Sequence, residues 1–159
     1  VGIVYAPKQV DLPALDAGFL VRRSYAAADD PSDVIKNADG SYKIKLGAKV
    51  VVTIEATNTT TRHGVALVDP MPAGFEAVNT ALATAERAVK TESDYWEHEN
   101  LRDNRAEAFS MELAAGTHRY VYTVRATTPG TFIAAPAKAE EMYAPETFGR
   151  STGMKVVVE

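Results

Sequence analysis

The sequence contains no cysteine among its 159 residues. That excludes disulfides, thiolate metal sites and cysteine nucleophiles together, and it leaves the compartment open. Basic charge is not in excess either. With 17 Lys and Arg against 21 Asp and Glu the net charge is −4, the opposite of the basic face that binding nucleic-acid phosphates requires. No apolar run is long enough to span a bilayer as a helix, and no basic then apolar leader opens the chain, so direct membrane insertion is not expected. The glycine loops that cradle phosphates and the Gly-x-Ser-x-Gly elbow are missing. His63, His98 and His118 sit at no metal-ligand spacing. Glu97-His98-Glu99 is the sharpest metal candidate, but on an extended chain its carboxylates and its imidazole point to opposite faces. Neighbouring Glu140 and Glu141 are split in the same way and cannot form the facing carboxyl pair of a glycosidase. No catalytic residue, metal or cofactor is assigned.

What is present is strand pattern. An apolar fraction of 46% over 159 residues suits one compact domain, residues 1–159, with a core that needs no staple. Tyr42 to Leu46 alternates apolar and basic residues, and Lys49 to Ala56 places Val50, Val52, Ile54 and Ala56 on one face, so the two are expected to pair across Gly47-Ala48. Phe19–Tyr25, Val65–Val68, Ala108–Leu113, Arg119–Ala126, Thr131–Ala134 and Gly153–Val158 read as further strands, and Gly2–Ala6 as a first edge strand. Asp29 to Asp33 can cap a helical turn over Val34–Lys36, and residues 79–89 favour a short helix. The expected fold is all-β, an antiparallel β-sandwich with one or two short helical segments. Residues 90–105 are expected to cross the surface with Trp96 tucked against the sheet. Arg102, Asp103 and Arg105 would pin that crossing by ion pairs, with Glu140, Glu141 or Glu146 as partners.

Pro136–Ser151 stands apart. Pro145 disfavours helix at Ala144 and Gly149 permits a change of direction, so the stretch reads as a presented loop. Met142, Tyr143 and Phe148 are large apolar groups where connections are normally small and polar, and they must cover this domain's own core or a surface elsewhere.

The run from Lys138 to Ser151, Lys-Ala-Glu-Glu-Met-Tyr-Ala-Pro-Glu-Thr-Phe-Gly-Arg-Ser, resembles the signature near the C-terminal end of bacterial alpha-2-macroglobulins. So do the blocks Gly18–Arg23, Val65–Glu76 and Glu97–Phe109, which fall in the family's order and spread the resemblance over nearly the whole chain. One local departure is Tyr95 before Trp96, where the family pattern has the reverse order. The resemblance implies the final macroglobulin-like domain of a protease-trapping protein, here without its Cys-x-Glu-Gln thioester motif. A chain starting at Val1 and ending on Lys155–Glu159 then reads as a domain cut from a longer one, its export signal left behind.

By the same resemblance the 137–149 loop leans on the thioester domain and keeps the thioester dry, with Met142 and Tyr143 as the shield and Glu140, Glu141, Pro145 and Phe148 holding its shape. The implied partners are the thioester domain and other macroglobulin domains of the same chain, and target proteases through the parent. The implied location is the periplasm, with a lipid anchor at the inner membrane open. The alternative reading is a stand-alone carbohydrate- or protein-binding module with Tyr95, Trp96 and Tyr143 as contact aromatics. Lacking any nucleophile, base or metal constellation, the purified 159-residue chain should neither cleave nor inhibit a protease, and stoichiometric inhibition in a titration against trypsin would overturn this reading.

Overall fold

The computed structural model describes residues 12–78 and 96–159; the strand expected at Gly2–Ala6 and the helix expected at 79–89 lie outside them. Fourteen strands are ordered along the described chain, and the one helical element is a 3-10 turn at Pro31–Asp33. The strands are β1 Leu15–Ala17, β2 Leu20–Ala27, β3 Val34–Lys36, β4 Tyr42–Ile44, β5 Lys49–Asn58, β6 Arg62–Pro70, β7 Phe75–Ala77, β8 His98–Leu101, β9 Arg105–Leu113, β10 Gly116–Ala126, β11 Gly130–Ala134, β12 Lys138–Glu141, β13 Ala144–Arg150 and β14 Met154–Val158. They form a six-stranded sheet, β1-β13-β12-β6-β9-β8, and two four-stranded sheets, β2-β5-β10-β7 and β11-β14-β4-β3. The all-β sandwich is therefore present. All pairs are antiparallel except β14 with β4, where Val156 lies beside Tyr42.

Alternation builds the core. On β5 the residues Val50, Val52, Ile54 and Ala56 are buried, and Tyr120, Tyr122 and Val124 of the neighbouring β10 pack with them. Val65 and Leu67 of β6, Ala139 of β12, and Ile44, Val156 and Val158 of the third sheet join the same cluster. Each such valine, leucine or isoleucine side chain removed from water contributes about 1.5–3 kcal/mol.

Two expectations fail here for reasons of connection. Tyr42–Ile44 does not pair with Lys49–Ala56. Gly47, at φ +85, carries the chain from the sheet of β4 into the sheet of β5, and local pattern cannot tell such a crossover from a hairpin. The helical turn also comes three residues early, at Pro31–Asp33. Asp30 caps it by accepting from the Ser32 amide and hydroxyl at 2.9 and 2.8 Å, and these hydrogen bonds hold the Asp30 carboxyl below its usual range. Val34–Lys36 is then strand, paired with β4.

One polar cluster crosses the core. Arg23 on β2 is buried, and its Nη1 donates to Asp69 Oδ1 of β6 at 2.5 Å and to the Ala135 carbonyl at 2.8 Å, while Nη2 donates to the Ala134 carbonyl at 3.1 Å. Tyr122 of β10 donates its hydroxyl to Asp69 Oδ2 at 2.6 Å. Burial pushes the Asp69 carboxyl up, against the pull of Arg23 and the Tyr122 hydrogen bond. The Tyr122 hydroxyl is raised well above its ordinary value by burial and by the Asp69 charge. Replacing Arg23 with Met would strand a buried carboxylate, a loss of about 3–5 kcal/mol, and adding Asp69→Leu to it should recover part of that loss. Urea denaturation of the two single variants and the double variant measures the coupling.

Candidate functional site

The stretch from Pro136 to Ser151 is not a loop in the folded chain. It is a hairpin: β12 and β13 pair with each other, β12 also pairs with β6, and β13 with β1. Pro145 lies within β13 and is accommodated there by a bulge. Glu140 lies opposite Phe148 and Glu141 opposite Ala144, so Pro145, Glu146 and Thr147 have no counterpart on β12. There a proline's missing N–H costs no ladder bond. Gly149 serves close packing rather than a turn, since a Cβ at that position would lie 1.8 Å from the Phe19 carbonyl oxygen.

Met142 and Tyr143 form the two-residue tip of this hairpin. Met142 is 42% and Tyr143 85% exposed, the latter the most exposed large apolar side chain among the described residues. Neither plugs the core. Below the tip lies Gly64 of β6, at φ +58. The Met142 amide donates to the Gly64 carbonyl at 2.8 Å, and the edge of the Tyr143 ring rests where a Cβ on Gly64 would stand, 2.9 Å from that position.

The surrounding side chains fasten the tip to β6. Glu141 accepts from the His63 amide at 2.8 Å, and its other oxygen stands 3.7 Å from Arg62 Nη1. Arg62 lies over the Phe19 ring, 5.7 Å from its centroid. On β12, Lys138 pairs with Glu140 and stands 5.4 Å from the centroid of the Phe148 ring. Pro145 is exposed in the bulge.

Arg102, Asp103 and Arg105 do not reach the hairpin. Arg102 Nε donates to Glu107 Oε2 at 2.9 Å, Arg105 Nε donates to Glu107 Oε1, and Asp103 takes no part in the cluster. Within the described part of the segment expected to cross the surface, His98–Leu101 is strand β8 at the sheet edge, beside β9, so the two arginines meet a carboxylate on their own hairpin. Trp96 is buried as expected. Its Nε1 donates to the Arg119 carbonyl at 3.2 Å and its ring meets Tyr120 edge-on, which removes it as a contact aromatic; Tyr95 lies outside the described residues. Sequence reasoning missed the Arg23–Asp69–Tyr122 cluster. Its only signal was an arginine on the inward parity of β2. Among the described residues no group of three or more His, Cys, Asp or Glu could hold a metal ion.

The profile of the family described as Bacterial Alpha-2-macroglobulin MG10 domain matches residues 18–146. The chain belongs to this family. The Alpha-2-macroglobulin homolog of Nostoc sp. is 41% identical over 93 residues, which is 57% of this chain and 5% of that protein. Circularly permutated Ras protein 2 of Dictyostelium discoideum is 32% identical over 142 residues, 89% of this chain and 4% of that protein. Trypsin-activated alpha-2-macroglobulin from Escherichia coli has the same fold, with a TM-score of 0.76 at 21% identity over 93% of this chain and 11% of that one. This MG10 domain thus spans only a small fraction of the length of the curated relatives it matches.

Hydrogen bonds from Arg105 and Arg102 hold the Glu107 carboxyl of the MG10 domain below its ordinary range. A carboxyl depressed in the folded state contributes stability that is present above its unfolded pKa and lost as pH falls through its folded pKa. Glu107→Gln should therefore lower the urea midpoint at neutral pH, and its stability curve should converge on the wild type in acid.

Proposed function

We propose that this MG10 domain is a non-catalytic part of an alpha-2-macroglobulin-like protease trap and that its hairpin tip shields the thioester of a neighbouring domain in the same chain. The observation that carries the reading is Tyr143, an aromatic ring 85% exposed at the tip of a hairpin fastened on both flanks. A thioester survives in water only while its carbonyl is kept dry. A tyrosine ring and a flexible methionine thioether offer apolar surface for that purpose. Glu140, Glu141, Pro145 and Phe148 are assigned the support of the tip, in keeping with their ion pairs, ring contact and bulge.

In this reading the chain is one macroglobulin-like domain among many in an exported, periplasmic parent, and proteases meet it through that parent. Captured protease would be held by a lysine amine that attacks the thioester carbonyl, forming an amide and releasing the thiol. In this reading the domain itself neither binds nucleic acid nor inserts directly into a membrane.

Replacing Met142 and Tyr143 together with Ala should leave the melting temperature of the 159-residue chain nearly unchanged, because the two side chains are 42% and 85% exposed; a buried pair would cost several kcal/mol. In the full-length parent the same change should speed thiol release in buffer and in methylamine. An unchanged release rate, or a parent without Cys-x-Glu-Gln, overturns the shield.

A further inference from the structure

Tyr143 is almost wholly exposed, yet it is not free to point anywhere. Three features converge beneath it. The first is Gly64, whose φ of +58 is a conformation that side chains disfavour and whose missing Cβ leaves the space the ring uses, at 2.9 and 3.1 Å to two ring carbons. The second is the backbone bond from the Met142 amide to the Gly64 carbonyl at 2.8 Å, which fixes the distance between the tip and β6. The third is Glu141, tied to the His63 amide at 2.8 Å and facing Arg62. The two residues before Gly64 in β6, Arg62 and His63, thus belong to the clamp, and Gly64 itself forms the seat.

The geometry points to Gly64 as the positioning residue for Tyr143, with Glu141 as the clamp that keeps the ring on its seat. The inference rests on the reading of the tip as a shield and adds that the shield is preset within this domain, before any contact with the thioester domain. A ring already held in one pose loses less conformational freedom when it docks than a swinging side chain does. A β-carbon at position 64 would lift the ring, because the near atoms are ring carbons that can move only by tilting the tyrosine away. Glycine at 64 therefore bears on function through a residue that is neither at the tip nor on the hairpin.

Two measurements decide it. In the 159-residue chain, proton NMR should find the Gly64 α-protons displaced upfield by the Tyr143 ring, and Tyr143→Leu should return them to ordinary values. No change on Tyr143→Leu would overturn the seat, and this reading needs no variant at Gly64 to fold. In the thioester-bearing parent, Gly64→Ala should speed methylamine-driven thiol release several-fold, by the same factor as Tyr143→Ala, and the double variant should be no faster than either. In that assay the amine nitrogen attacks the thioester carbonyl, the carbon–sulfur bond breaks, an amide forms, and the sulfur leaves as thiolate and takes a proton. Glu141→Ala should show a smaller rise in the same direction. If Tyr143→Ala is silent, the shield reading fails; if Tyr143→Ala is fast and Gly64→Ala is silent, the shield stands and the positioning role falls.

Discussion

The fold depends on a buried charge held at the meeting of three sheets. Arg23 belongs to the β2-β5-β10-β7 sheet, Asp69 to the six-stranded sheet, and the Ala134 carbonyl that Arg23 also engages ends β11 of the third. Tyr122 closes the cluster from β10. An ion pair at this depth adds little net stability over an apolar replacement of both partners, because removing two charges from water costs about as much as their attraction returns. What it contributes is registration. Apolar faces slide over one another at small cost, whereas a guanidinium with two carbonyls and a carboxylate to satisfy has one position. The pair thus selects one docking of the sheets, and every apolar contact in the common core is made in that docking.

That selection reaches the hairpin. Asp69 sits on β6, and β6 is also the strand against which β12 lies, in the register Glu141 to Val65 and Lys138 to Val68. The hairpin is held on its other side through β13 and β1, where Gly149 passes so close to the Phe19 carbonyl that no side chain fits. Between these fixed flanks the bulge at Pro145–Thr147 absorbs the extra residues, and the tip projects. Exposed apolar side chains on a well-held projection are what a docking surface within a larger protein requires.

Strands with strict alternation were legible in the chain itself. Val50, Val52, Ile54 and Ala56 could only face a core, Tyr120, Tyr122 and Val124 likewise, and both sets are buried. Trp96 was legible as a buried ring because a lone indole amid charged residues has nowhere else to hide. The prominence of Met142 and Tyr143 could also be read, from their mismatch with the residues around them. Pairing was not legible. Tyr42–Ile44 joined β14 in a parallel pair instead of the next strand in sequence, because alternation specifies a face and says nothing about the neighbour.

The amino-acid sequence by itself determined an all-β chain, the inward faces of its main strands, the family it belongs to and the two residues that stand out at the tip. Those properties are local, set by period-two alternation, turn residues and short motifs. The tertiary structure alone decided that Arg23 meets Asp69, that Arg102 and Arg105 turn to Glu107, and that a glycine on β6 lies under Tyr143. Arg23 and Asp69 lie 46 positions apart and Gly64 and Tyr143 farther still. Contacts between segments so distant in sequence form only when strands pair within a sheet, as β12 does with β6, or when sheets dock, as at Arg23 and Asp69, and the burial of the common core drives both.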